Sequence, residues 1–455
     1  MNDMAFPAPM LTRSPGRLET MRLLRKSLSN PMDFWPPEIY QAPIVKVNFM
    51  GAARYFVSDP AMIQTVMLDN ADRLHKSDQM RRALEPALGQ GILTAEDDRW
   101  RAQRRVVAPV FRPSAVNSFI PAMIAQSRTM LARWQSLPEG VPVEVDREMM
   151  HLTFEIILET MLSGRGDINV AEVERSIADF LKATPWVAVL TMLGLPEWTP
   201  FPGKLRAAKG RGYLRGMIMR RVVERRESGL RLDDLLSLLL DARDPETNTG
   251  FSDVNIVDNI LTFIGAGHET TALALTWTFY LLSHHPEIEA KILAEIAAVT
   301  NGAPLEAEQV ADLVYLRQVI MESMRLYSPV SIVGREVMES FELGGATINA
   351  GDRVLVAIHA VHHNPNNWSD PERFDPDRFA PEQMKTRHRF AWLPFGAGPR
   401  ICIGMQFALL EAAAILGTLL PAMRLTAKPG YVPVPISRVT TRPDRGMPMT
   451  MARRA

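Results

Sequence analysis

The sequence predicts a mainly α-helical protein with a minor β portion, folded as one domain over residues 1–455. Three observations carry that prediction. From Ala61 to about Val299 apolar residues recur at helical spacing, with breaks at Pro138, Pro142, Pro196, Pro200, Pro202 and Pro286. The stretch Phe251–Ser283 is long, apolar and poorly broken. Alternation of apolar and polar residues is confined to short stretches, chiefly near 41–60 and 340–360.

Taken in order, Val45–Gly51 alternates and ends in a glycine turn, and Arg54–Pro60 follows it, which reads as a hairpin. A helical core over 61–330 comes next. Within it, Phe251–Ser283 reads as a single helix crossing the core; Asp253, Asp258, His268 and Glu269 exclude a transmembrane span. Beyond Pro329, Phe341–Ile348 and Asp352–Ile358 read as strands around turns, 364–379 meanders through Pro, Asp and Arg, and Thr440–Met451 reads as a closing hairpin. There is no internal repeat and no low-complexity linker. Length alone, at about 150 residues per domain, suggests roughly three domains. The informative motifs run from Trp100 to Cys402 and need to converge, which favours one.

The 51 basic residues balance 51 acidic ones and no long basic run occurs, so nothing draws the chain to nucleic acid. A single cysteine rules out an internal disulfide framework and suits a reducing cytoplasm. Met1–Pro9 carries neither a signal peptide's apolar core nor an anchor, and Arg17–Arg25 is too charged to span a bilayer. The expectation is a soluble, cytoplasmic protein without a membrane anchor.

That cysteine, Cys402, lies in the loop 395–404, Phe-Gly-Ala-Gly-Pro-Arg-Ile-Cys-Ile-Gly, directly before the apolar helix-forming run Met405–Ala412. A thiol at or just before a helix N-terminus has its pKa lowered by unpaired N–H groups and the helix dipole. Glycines let the backbone approach a flat ligand, and Arg400 offers a permanent cation for a carboxylate on it. One cysteine cannot build a zinc knuckle or an iron–sulfur cluster. Phe395, Gly398, Arg400, Cys402 and Gly404 occupy every fixed position of the pattern Phe-x-x-Gly-x-Arg-x-Cys-x-Gly, and here the chain resembles the cytochrome P450 monooxygenases.

The resemblance implies the cytochrome P450 fold, with a long central helix over a haem b whose iron takes Cys402 as axial ligand, and Phe395, Gly396, Arg400 and Gly404 around it. In Ala266-Gly267-His268-Glu269-Thr270-Thr271 it implies that Glu269 and Thr270 are the acid–alcohol pair relaying protons to bound O2, with Ala266 and Gly267 lining the oxygen groove. His268 reads as a packed or solvated residue. Glu322 and Arg325 share a helix face; by resemblance they join a later arginine in a buried triad bracing the cysteine loop. Arg373 and Arg378 both compete for that place, and the run from Trp368 to Phe379 aligns best with Arg378. Trp100 and Arg104 stand one helical turn apart as pure donors; with Arg335 and Arg400 they are the implied propionate ligands. His284-His285 and His362-His363 are adjacent pairs, expected at surface or turn positions.

The chemistry implied is insertion of one atom of O2 into an apolar organic substrate. Electrons would come from NAD(P)H through a separate ferredoxin or flavodoxin with its reductase, since no flavin or nicotinamide module follows the haem-binding part. Arg101, Arg105, Lys385, Arg387 and Arg389 are the cations expected to meet an acidic redox partner. The implied pocket takes in parts of 73–93 and 180–193, Phe263, Ile264, Gly267, Val330, Ile332 and Val333. Two alternatives stand beside this reading: a peroxide-using or isomerising haem-thiolate enzyme, and a non-catalytic haem-binding sensor.

Overall fold

The main elements, in chain order, begin with strands β1 (Leu11–Arg13), β2 (Ile44–Phe49), β3 (Ala52–Val57) and β4 (Leu74–Lys76), followed by helices α1 (Asp78–Leu88), α2 (Asp97–Val107) and α3 (Ile120–Gln135) and strand β5 (Pro142–Glu144). Helices α4 (Val145–Leu162), α5 (Val170–Met192), α6 (Lys204–Ser228), α7 (Asp253–His284) and α8 (Val314–Leu326) form the middle of the chain. Strands β6 (Val333–Val337), β7 (Phe341–Leu343), β8 (Ala346–Ile348) and β9 (Arg353–Val356) lead to helix α9 (Ile358–His363) and helix α10 (Met405–Leu419). Strands β10 (Met423–Ala427), β11 (Pro435–Ser437), β12 (Thr441–Pro443) and β13 (Pro448–Arg453) close the list. This computed structural model describes residues 10–13, 16, 30–49, 52–164, 166, 168–192, 194–196, 198–437 and 439–454. The sequence features at Met1–Pro9 and Arg17–Arg25, the turn residue Gly51 and the pocket position Leu193 lie outside the described residues.

The chain divides into two compact units, each assembled from separated stretches: 1–80 with 321–402 and 434–444, and 81–320 with 403–433 and 445–455. In the first, the expected hairpin forms, with β2 and β3 antiparallel from Ile44 opposite Val57 to Phe49 opposite Ala52. Both are drawn into a six-stranded sheet of order β1-β2-β3-β9-β6-β4, so the two β-rich stretches of the sequence meet in one sheet. β3 runs parallel to β9, while β6 is antiparallel to both β9 and β4. Its apolar face joins Ile44, Tyr55, Val57, Leu74, Val354 and Val356 with Ile63 and Val66 in one buried cluster. Each such side chain contributes roughly 1.5–3 kcal/mol by leaving water.

The second unit is organised by α7. The Ser252 hydroxyl accepts the Asn255 N–H at its start, and Pro286 follows its end at His284. Of its 32 residues 22 are buried, so it is a wrapped core helix rather than a surface one. α4 and α6 pack against it, and α10 packs on α3.

Two expectations are corrected. The helical core over 61–330 contains strands, β4 and β5. The tail is not one hairpin: β12 pairs with β11, whereas β13 pairs with β10 and β5 in a separate three-stranded sheet. The physical reason lies between them, where Pro443 ends one strand, Gly446 turns with φ +75° and Pro448 starts the next. Among the described residues no helix is long and apolar enough to cross a membrane.

Candidate active site

In the first unit the site is built around Cys402, which is exposed on its loop. The loop closes on itself: the Gly396 N–H donates to the Leu393 carbonyl at 2.9 Å, the Cys402 N–H to Phe395 at 2.9 Å, and the Ile401 N–H to Gly398 at 3.1 Å. Gly398 has φ +68°, and a Cβ there would lie 1.9 Å from the Met67 carbonyl oxygen, so no other residue fits. The Phe395 ring meets Trp392 edge to face, and the Trp392 indole N–H donates to the Met321 carbonyl at 3.1 Å. Helix α10 begins at Met405 with Gly404 at its N-cap, close behind the thiol in the chain.

Behind this loop lies the charge cluster. Arg325 grips Glu322 with two hydrogen bonds, 2.7 and 2.8 Å, and both side chains are fully buried. Its remaining N–H groups donate to the carbonyls of His362 (2.8 Å), Pro371 (2.7 Å) and Arg373 (3.1 Å). The Asp375 N–H donates to Glu322 at 3.0 Å, and Arg378 Nε stands 3.4 Å from the same carboxylate. Thus Arg378 supplies the third charge, while Arg373 offers its backbone carbonyl and keeps an exposed side chain. Burial raises the Glu322 pKa, against the pull of Arg325, the Asp375 N–H and Arg378.

Arg335, on β6, is half-buried and donates to the Gly334 carbonyl at 2.9 Å; Arg400 is half-buried in the short turn Gly398–Arg400. Val330, Ile332 and Val333 are half-buried. His362 overturns its expected surface position: it is wholly buried, because its ring is held by backbone groups on both sides.

In the second unit α7 carries the acid–alcohol residues. Glu269 is 2% exposed and Thr270 is half-buried. The Thr270 hydroxyl donates to the Ala266 carbonyl at 2.8 Å, and the Thr153 hydroxyl of α4 donates to the His268 carbonyl at 2.9 Å. Side-chain bonding of this kind competes with the helical ladder; α7 nonetheless remains helical throughout. Ala266 is exposed on this otherwise wrapped helix. At Gly267 a Cβ would lie 2.9 Å from Ile157 Cδ1, so the missing side chain makes room for α4. His268 is a packed residue, its Nδ1 2.7 Å from the Ile264 carbonyl and its ring against Phe154. Phe263 and Ile264 are buried, with Phe263 edge to face against Phe111. Trp100 and Arg104 are half-buried on α2.

Two of the five cations expected at a partner surface are committed elsewhere. Arg105 is bound to Asp244 at 2.9 Å, and Arg387 stacks over Trp368 at 4.2 Å. Arg101 and Lys385 each pair with an acid one turn away, Asp98 and Glu382. Arg389 is exposed beside Phe390.

A family profile described as cytochrome P450 matches residues 38–447. The chain belongs to the cytochrome P450 family. It is 33% identical over 411 residues to the cyclooctat-9-en-7-ol 5-monooxygenase of Streptomyces melanosporofaciens, covering 90% of this chain and 88% of the relative. It is 28% identical over 445 residues to the pentalenene oxygenase of Streptomyces avermitilis, covering 97% of each. The crystal structure of the cytochrome P450DA heme domain superposes with a TM-score of 0.82 at 24% identity over 98% of this chain and 99% of that one, which shows the shared fold.

The protein is therefore a cytochrome P450 monooxygenase, a haem-iron enzyme that uses O2. Its residues fit that group: among the described residues no cluster of His, Cys, Asp and Glu could hold a bare metal ion, whereas one exposed thiol is the donor an iron already held by a macrocycle needs. Sequence reasoning missed three buried polar positions. His362 is one. Asp258 accepts the Gln90 N–H at 2.9 Å, pairs with Arg215 and helps fix the turn after α1. Glu411, on α10, is 1% exposed, and neither carboxyl oxygen has a hydrogen-bond partner among the described residues. Burial raises its pKa to about 8, against the downward pull of the Thr271 hydroxyl. A lone acid in the apolar run Met405–Leu416 was its signal in the sequence.

Proposed function

We propose that this P450 inserts one atom of O2 into an apolar, terpenoid-like substrate, with electrons passing from NAD(P)H through a separate ferredoxin or flavodoxin. The exposed Cys402 thiol on a loop backed by a buried ion cluster carries the reading. Cys402 would hold the haem iron from the proximal side, with Phe395, Gly396 and Gly404 shaping the loop around it. Trp100, Arg104, Arg335 and Arg400 would bind the propionates; all are donors without an acceptor on the side chain. When bound, the haem supplies O2 activation, and thiolate ligation favours O–O cleavage, an effect for which P450s are the standing example.

The protein's own part is positioning and proton handling. Glu269, buried one turn from the exposed Gly265, is the proton donor, and the Thr270 hydroxyl passes the proton on while anchored to Ala266. Apolar side chains Phe263, Ile264, Val330, Ile332 and Val333 suit a hydrocarbon ligand. The relatives named for cyclooctat-9-en-7-ol and pentalenene support cyclic hydrocarbon skeletons as the substrate class. Arg101, Lys385 and Arg389 remain as partner-facing cations.

A terpenoid library screened for haem spin-state shifts tests the substrate class. Hits should then be oxidised with NAD(P)H and redox proteins, and Thr270→Ala should uncouple reductant use from product. Turnover only with peroxide would replace this reading by the peroxide-using alternative. Absence of any substrate-stimulated reduction would favour a sensor.

A further inference from the structure

The two ring bonds of His362 together identify its protonation state. The Leu393 N–H points at Nε2 from 2.9 Å, and Nδ1 lies 3.1 Å from the Arg325 carbonyl oxygen. A backbone N–H can donate only to a bare ring nitrogen, so Nε2 carries no proton; a carbonyl accepts only, so Nδ1 carries it. The imidazole is neutral and in a single tautomer. The arrangement is reciprocal, because the Arg325 guanidinium donates in turn to the His362 carbonyl at 2.8 Å. The titratable groups around it are the Arg325 guanidinium, which with Glu322 forms a closed ion pair, and His359 and His363 of the same helix; His363 is bonded to Glu372 at 2.9 Å. The Trp368 ring stands edge-on at 6.4 Å.

What the ring joins matters. On one side is the backbone of Arg325, fixed by its five-fold grip on Glu322 and three carbonyls. On the other is Leu393, whose carbonyl accepts from Gly396, the residue next to Phe395, which in turn accepts from the Cys402 N–H. We propose that His362 is a positioning residue for the Cys402 thiolate: it rivets the start of the cysteine loop to the backbone of the buried ion cluster. This rests on the haem-thiolate reading above. A rigid ring with a donor at one nitrogen and an acceptor at the other spans the two peptide groups, which no aliphatic residue does. Without it the Leu393 N–H is left buried and unsatisfied, and the loop moves to find a partner.

The test compares His362→Leu with His362→Gln in the haem-loaded, full-length protein, because glutamine keeps one donor and one acceptor. Two readouts are taken: hydrogen exchange at the Leu393 amide, and the share of the reduced carbon monoxide complex that shows the red-shifted thiolate Soret band. His362→Leu should exchange about 10- to 100-fold faster at Leu393, the range for one lost buried hydrogen bond, and should lose part of the red-shifted band. His362→Gln should recover most of both. Wild-type exchange and spectrum in His362→Leu, or equal damage in the two variants, overturns the proposal. Should His362→Leu fail to fold, nitrogen NMR of the wild-type ring decides: a proton on Nε2 near neutral pH overturns it. A wild-type protein without the red-shifted band would instead defeat Cys402 as the iron ligand, while the exchange result would still judge the rivet.

Discussion

Glu322 in the first unit and Glu411 in the second are both carboxyls withdrawn from solvent, 0% and 1% exposed, yet the fold treats them in opposite ways. Glu322 receives two bonds from Arg325, one from the Asp375 N–H and the nearby charge of Arg378. Glu411 sits in an apolar helix and has, among the described residues, no counter-charge, only the Thr271 hydroxyl acting against its burial. Burial raises both. Counter-charges in hydrogen-bonding geometry make the first a fixed anchor for backbone, whereas the second keeps its proton at neutral pH and titrates near pH 8. The lesson is that burial alone does not tell a structural acid from a titrating one; the partners do.

The largest effect should come from stripping the anchor. Arg325→Ala strips Glu322 of its hydrogen-bonded counter-charge, leaving only Arg378 at 3.4 Å and the Asp375 N–H, a loss of about 3–5 kcal/mol, and releases three carbonyls as well. Purified variant should contain little or no haem by its Soret absorbance; normal loading would break the contrast between the two acids. Next comes Glu411. Its folded pKa lies above the ordinary carboxyl value, so between about pH 4.3 and 8 the native state holds a proton that the unfolded chain has lost. Stability therefore falls as pH rises through that window, by about 1.4 kcal/mol per pH unit at one full proton, and levels off above it. Glu411→Gln should flatten that slope in denaturant melts taken from pH 5 to 8; an unchanged slope would show the carboxyl ionised in the native protein. The smallest effect is expected at Arg378, whose Nε lies 3.4 Å from Glu322 without a hydrogen bond to it. Arg378→Gln should cost about 1–2 kcal/mol and keep most haem. Loss of loading equal to that of Arg325→Ala would make the triad an indivisible unit.

Much of the fold and of the site was legible because its carriers are local. The pattern around Cys402, the glycines at 396 and 398 and the long apolar run of α7 all announce themselves within one or two turns of chain. What escaped was what depends on distant partners. His362 looks like half of a solvent-facing pair until Leu393 and Arg325 are known to flank it. At Gly267 the sequence does not show that Ile157 stands 2.9 Å from where a Cβ would be, a second demand for glycine there. Arg105 and Arg387 look like surface charge until Asp244 and Trp368 take them. The closing hairpin failed for the same reason, since alternation in β12 and β13 marks strands but not their neighbours.

The division of β12 and β13 between the two units bears on how the polypeptide is made. The first unit draws in 434–444 and the second 445–455, after both have been under construction since the opening stretches of translation. Neither can assemble its full set of strands while the ribosome is still short of those residues. A nascent chain paused after α10 therefore holds two unfinished bodies rather than one finished and one pending, and chaperone demand should peak late in synthesis.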